Sequence, residues 1–243
     1  MSYELWYWSD IPGRGEFVRL ALEAGHIPYR DCAREPEVGS KGLIEDMLRT
    51  RQHPPFAPPY LVADGMTLGQ TANILYFLGE RHGLAPADLA GRLWVNQLQL
   101  TIADAVAEAH DVHHPIAASL YYEDQQTEAL RRAAYFRKER IPKYLAYFER
   151  ALSGSDAWLA GGERWSYADL SLYHLVFGLL YAFPHRVAMI ARDYPRVMAL
   201  HDRVANLPEL QAYLTSQRRL AMGADLFRHY AELDDGPSGD NLG

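Results

Sequence analysis

A single cysteine, Cys32, stands in 243 residues, so no internal disulfide can form, and a reducing compartment, the cytoplasm, is the expectation. No apolar run reaches the roughly 18 residues that a membrane-spanning helix needs. The opening Met1-Ser2-Tyr3-Glu4-Leu5 lacks the basic and apolar regions of a signal peptide. Positive charge is in deficit: 24 Lys and Arg against 31 Asp and Glu give a formal net charge of -7. That balance argues against a nucleic-acid footprint. Internal repeats are absent, and the one biased tract is the polar stretch at 234–243, expected to be a flexible tail. What remains is a soluble globular chain, long enough for one large domain or two small ones.

The pattern along the chain changes once. Leu5-Trp6-Tyr7-Trp8 has strand character, Pro12-Gly13 punctuates it, and Glu16 to Gly25 reads as a helix that stops at its glycine. Ile27 to Cys32 is a second strand with its proline near the start, and Ala33 to His53 reads as loop and short helix. Tyr60-Leu61-Val62, the turn pair Asp64-Gly65, and Met66 with Leu68 at alternate positions make a β-hairpin. A helix follows, with Ile74, Leu75, Phe77 and Leu78 at helical spacing. The order is β-α-β-α-β-β-α over residues 1–83, with a linker at 84–90 around Pro86. From 91 to 225 the pattern is helical only. Long amphipathic helices run from Leu93 to about Leu120 and from Glu128 to Leu152. Ser166-Tyr167-Ala168-Asp169 caps a third, and Tyr194-Pro195 and Leu207-Pro208 start two more.

The segment from Pro58 to Thr71 joins a constrained X-Pro bond, the hairpin and a polar helix start. A cis Pro58–Pro59 bond costs only about 0.5–1 kcal/mol, so a tight bend is accessible there. Gln70 and Thr71 lie where a helix leaves free N–H groups, which favour a carboxylate or phosphate.

With this order, this corner and an all-helical second part, the chain resembles the cytosolic glutathione S-transferases, as a tyrosine-type, bacterial-like member. The resemblance rests on Tyr7-Trp8 with Asp10-Ile11-Pro12-Gly13-Arg14, on Pro59 to Gly65 with Gln70-Thr71, and on Trp158-Leu159-Ala160-Gly161 with Ser166 to Asp169. It implies a thioredoxin-like α/β domain that binds glutathione and a helical bundle domain with a pocket for a hydrophobic electrophile. It also implies a cytoplasmic homodimer that conjugates glutathione in detoxification, with no metal. The alternatives on the same fold are a non-catalytic glutathione-binding scaffold, or a glutathione-dependent peroxidase or isomerase.

By the same resemblance, the γ-glutamyl carboxylate rests on Gln70 and Thr71, and the cysteinyl backbone pairs beside Pro59. Pro58 offers a C=O but no N–H to that pairing. Asp104 holds the position from which family members reach the γ-glutamyl ammonium, often across a dimer interface. Trp8 lines the glycyl end, and Lys41, Arg49 and Arg51 are the candidates for its carboxylate. The thiolate is the nucleophile, and a free thiol titrates near ~8.5. One hydrogen bond to a charged acceptor, worth roughly 1.5–3 kcal/mol, supplies about one to two pK units. Tyr7 is the first choice for that donor. Ser9, an extra residue in the loop, is the second, and Arg14 adds positive potential or fixes the loop. His110, His113 and His114 lack the partners of a metal site. His110 and His114, with Tyr121, are expected to line the electrophile pocket. Cys32 reads as a small buried residue rather than a nucleophile.

Overall fold

The computed structural model describes residues 3–154, 157–223 and 225–234. Its N-terminal domain runs β1 (Tyr3–Trp6), α1 (Gly15–Ala24), β2 (Tyr29–Asp31), α2 (Gly39–Met47), β3 (Tyr60–Ala63), β4 (Met66–Gly69) and α3 (Thr71–His82). This is the β-α-β-α-β-β-α order that the sequence predicts. The sheet order is β2-β1-β3-β4, with β1 parallel to β2 and antiparallel to β3. The β3–β4 hairpin turns on Asp64 at φ 50° and Gly65 at φ 78°, the two positive angles that a two-residue primed turn requires. Strand β1 ends at Trp6, earlier than the aromatic run suggests. Its register pairs Trp6 with Tyr60, so Tyr7 would come next to Pro59, which has no N–H to give. Tyr7 is thereby released from the sheet into the loop before α1.

The helical domain starts at α4 (Leu89–His113), where the Asp88 carboxylate accepts from Gly91 N at 2.9 Å. The helix therefore begins inside the stretch read as linker. It also stops short of Leu120, because Pro115 follows His114 and disfavours helical backbone at the residue before it. Helix α5 (Gln126–Tyr135), a π turn (Phe136–Arg140) and α6 (Ile141–Ala151) replace the single helix expected from Glu128 to Leu152. Pro142 opens α6 without an N–H to donate, and the widened turn sits directly before it. Then come α7 (Tyr167–Ala182), α8 (Pro184–Ile190), α9 (Pro195–Ala205), α10 (Pro208–Leu214) and α11 (Ala231–Asp234). Asp169 accepts from both Ser166 N and Ser166 Oγ at 2.7 Å and from Leu159 N at 2.8 Å, so the capping reading of that motif holds. Asp234 is buried, with its carboxylate on His185 N and Arg186 N. It is therefore an anchor and not part of a tail; residues 235–243 lie outside the described residues.

Alternation along the strands sorts two cores. Leu5 and Leu61 face a large apolar cluster shared with α1, α3, α4 and α7, so the two domains meet across continuous packing. Trp6 and Tyr60 point to the other face and enclose Cys32, Ala33 and Leu43 beneath α2. Helix α1 is buried on nearly every side and carries two charged side chains, Glu16 and Arg19, into the larger core. The Arg19 guanidinium is 0% exposed and bonds Asp31 at 2.6 Å and the Pro12 carbonyl at 3.2 Å. Glu16 accepts from the Tyr213 hydroxyl at 2.8 Å.

After α10 the chain returns over the seam between the domains. The Phe227 ring lies against Gly178 of α7, where an added Cβ would stand 2.4 Å from it. Gly178→Ala should therefore cost about 1–3 kcal/mol by overpacking, read as a lower urea midpoint at unchanged m-value. An unchanged midpoint would mean that Phe227 does not occupy this slot in solution.

Candidate active site

The loop between β1 and α1 wraps around the Tyr7 ring. Tyr7 is 5% exposed, and its Oη accepts from Arg14 N at 2.9 Å. A Cβ at Gly13, where φ is 40°, would lie 2.1 Å from Tyr7 Oη, and one at Gly15 would lie 2.6 Å from the ring. Only glycine lets the backbone pass so close. Burial pushes the Tyr7 phenol upward; the Arg14 N–H and the Arg14 and Arg19 charges oppose this, and Asp225 adds to it. Tyr7 thus keeps its proton at neutral pH. Because Oη already accepts from Arg14, that proton is free to donate elsewhere. Ser9 differs: its Oγ lies 3.2 Å from Ser40 Oγ at the start of α2.

The Pro58–Pro59 bond is cis, Pro59 is buried, and Gln70 stands at the N-cap position of α3 at φ 67°, with no capping bond from its side chain. A pocket of about 340 Å³ opens between α1, the start of α3 and α4, lined by Arg14, Phe17, Gln70, Thr71, Gln99 and Val106 among others. Two polar atoms of its lining residues, Thr71 Oγ1 and Gln99 Oε1, are buried without a hydrogen-bond partner among the described residues. Such atoms are costly unless something polar comes to meet them. Sequence reading missed Gln99; the only signal was an amide set inside an apolar-periodic helix. Asp104 is on the exposed side of α4 and is not part of this lining.

The other expected contacts divide. Trp8 is half-buried and packs on the second core. The Arg51 guanidinium is taken up by the Asp46 carboxylate and carbonyl and lies over the Tyr60 ring at 5.5 Å. Arg49 is 71% exposed and pairs with Asp46 at 3.0 Å. Lys41 is exposed, 3.7 Å from Glu45. Arg49 and Lys41 are therefore freer than Arg51 to meet a carboxylate.

At the far end of α4, His110 stacks on His114 with ring centres 5.0 Å apart. His113 Nε2 lies 3.1 Å from the Leu226 carbonyl and its Nδ1 is 2.5 Å from His114 Nδ1. A carbonyl only accepts, so His113 carries its proton on Nε2 and His114 donates from Nδ1. Burial pushes His113 down to about 3, so it stays neutral. Tyr121 is 79% exposed and outside this cluster. Its neighbour Tyr122 is the buried one, stacked on Tyr230 at 3.8 Å. Cys32 is buried and its thiol is pushed up to about 12, an unreactive state. His174 of α7 is fully buried between Phe17 and Phe227. Both its ring nitrogens lack hydrogen bonds among the described residues, and burial pushes it down to about 3.

Comparison with known proteins bears on this geometry. Residues 110–217 match the family model described as glutathione S-transferase, C-terminal domain. The glutathione S-transferase of Plasmodium falciparum is 22% identical over 221 residues, 87% of this chain and 95% of that protein. Bovine glutathione S-transferase A4 is 26% identical over 203 residues, 83% of each. Among solved structures, rat hPGDS complexed with a quinoline superposes with a TM-score of 0.70 at 22% identity, covering 91% of this chain and 99% of that one. The Onchocerca volvulus Pi-class glutathione S-transferase gives 0.69 at 21%, covering 88% and 92%.

The two buried imidazoles make stability depend on pH with a definite sign. His113 and His174 have ordinary values near 6.5 when unfolded and about 3 when folded. Below 6.5 the unfolded chain binds protons that the native state refuses, so stability falls as pH drops from 6.5 toward 3, by up to about 1.4 kcal/mol per pH unit for each ring. Glu16, pushed up to about 7 by burial, acts in the opposite sense between 4.5 and 7. His174→Leu leaves Glu16 in place, so it should shrink the acid loss seen between urea unfolding at pH 7 and at pH 5. An unchanged difference would mean that His174 is protonated or solvated in the native state.

Proposed function

The chain belongs to the glutathione S-transferase family, and from that premise we propose that it conjugates glutathione to hydrophobic electrophiles in the cytoplasm. The observation that carries this reading is the Tyr7 hydroxyl, which accepts from Arg14 N and keeps a proton to donate, in the loop whose Arg14 also lines the pocket. The γ-glutamyl carboxylate sits on the α3 N-terminus, where the Thr71 hydroxyl has no partner among the described residues. Arg49 or Lys41 meets the glycyl carboxylate, and residues 1–83 hold the peptide. The thiol gives its proton to solvent, and the Tyr7 O–H stabilises the thiolate. The sulfur lone pair forms a C–S bond at the electrophilic carbon, and the leaving group departs with its electron pair. Arg14 adds positive potential at the sulfur, and His110 and His114 form the polar side of the electrophile pocket.

With chlorodinitrobenzene as electrophile, Tyr7→Phe should lose about 10- to 100-fold in kcat/KM, the worth of one charge-assisted hydrogen bond. Ser9→Ala should have the smaller effect; the reverse order would transfer the role to Ser9. Calorimetric titration separates the scaffold reading, which requires glutathione binding without turnover. Absence of binding would sink both. Isomerisation and peroxide reduction, the alternatives on the same fold, are the next activities to assay.

The homodimer is part of the same proposal. Leu89, Leu93 and Leu100 are exposed at 60%, 55% and 51%, and their spacing puts them on one stripe of α4 with Asp104 at its end. Phe56 is 93% exposed. A second copy packed on this stripe buries the leucines and brings Asp104 to a neighbouring pocket. Leu93→Asp with Leu100→Asp should shift sedimentation from dimer to monomer and weaken glutathione binding. A monomeric wild type would overturn the assignment.

A further inference from the structure

The Gly13 peptide is gripped from the helical domain. Its N–H donates to Asp225 Oδ2 at 3.0 Å, a contact that joins residues 212 positions apart. The other oxygen of that carboxylate accepts from Phe227 N at 3.3 Å. On the opposite side, the Gly13 carbonyl accepts from Glu16 N at 3.3 Å and lies beside the His174 ring, close enough to act on it electrostatically but outside hydrogen-bond geometry. Asp225 itself is 6% exposed. Its segment is fixed at three further points: Phe227 against Gly178, the Leu226 carbonyl on His113 Nε2, and Tyr230 stacked on Tyr122.

A carboxylate is an expensive tether in such a place. Burying it costs free energy, and its charge works against a nearby thiolate. A neutral acceptor would bind one N–H more cheaply. What the carboxylate adds is two acceptors at fixed angles, one on the active-site loop and one on its own segment, so it locks the first to the second. We infer that Asp225 is a positioning residue for Tyr7: by fixing the Gly13 peptide it aims the next N–H, that of Arg14, at Tyr7 Oη, and thereby aims the phenolic O–H at the sulfur.

The inference rests on Tyr7 being the thiolate donor. The charged groups acting on the Tyr7 hydroxyl are Arg14, Arg19 and Asp225 itself, and Arg228 acts on Asp225. The Asp225 charge adds to burial in raising the phenol. Asp225 therefore serves the tyrosine by geometry.

The test is a double-mutant cycle on the full chain with Tyr7→Phe, Asp225→Ala and the double variant. It is read as kcat and KM for chlorodinitrobenzene and as the pH titration of the ultraviolet thiolate absorbance of bound glutathione. Asp225→Ala should lower kcat about ten-fold and move the thiol titration about one unit upward, with KM for glutathione changed less than about three-fold. In the Tyr7→Phe background the same substitution should do almost nothing. Asp225→Asn offers one acceptor where two are used, so it should recover part of the loss. If Asp225→Ala does not fold, Asp225→Asn takes its place in the cycle. Equal losses in both backgrounds, or a loss confined to KM, would overturn the inference while leaving Tyr7 as donor. If Tyr7→Phe alone has no effect on the thiol titration, the tyrosine reading fails first, and the positioning role falls with it.

Discussion

The burial of the Arg19 guanidinium organises everything around the site. A fixed positive charge taken fully out of water must be surrounded by acceptors, or the fold loses several kcal/mol. Here Asp31 at the end of β2, the Pro12 carbonyl of the loop around Tyr7 and the Glu16 carboxylate close around it. Glu16 in turn binds the Tyr213 hydroxyl of α10. One side chain therefore ties the sheet, the Tyr7 loop and the helical domain to a common point. Such a network is weak as a source of stability and strong as a source of specificity, because slipping any partner strands a buried charge.

Much of this was legible before any coordinates. Alternation in Tyr60-Leu61-Val62, the Asp64-Gly65 turn and the polar start at Gln70-Thr71 are local signals with local causes, and they predicted the hairpin and the start of α3 correctly. Ser166 and Asp169 signalled a cap in the same way. The boundaries that moved did so for physical reasons equally present in the residues: Pro59 ends β1 early, Pro115 shortens α4 and Pro142 opens α6 directly after a π turn. The contacts that sequence could not reach are those between distant segments. Nothing near Asp225 announces that its carboxylate meets Gly13, and nothing near Gln99 announces that its amide oxygen lacks a partner among the described residues. Arg51 shows the same limit: its spacing makes it a candidate cation, and only the fold shows Asp46 engaging it.

The Tyr7 loop also shows how a buried phenol can be left free to donate with few charges. The loop Pro12-Gly13-Arg14-Gly15 uses two glycines so that backbone can pass against the Tyr7 ring, and one backbone N–H then saturates an acceptor lone pair of its oxygen. The phenol is left with a single direction in which to give its proton. Preorganisation of this kind requires no movement at the moment of reaction. It does require that the loop be held, and Arg19 and Asp225 hold it from opposite sides.

The separation between Gly13 and Asp225 has a consequence for the order of events during synthesis. At a translation rate of about 5–20 residues per second, some ten seconds or more pass between the appearance of one and the appearance of the other. For that interval a nascent chain carries its tyrosine, its glycine loop and its anion corner without the group that pins them. The loop around Tyr7 therefore gains its bond to Asp225 as a late and separate step of folding.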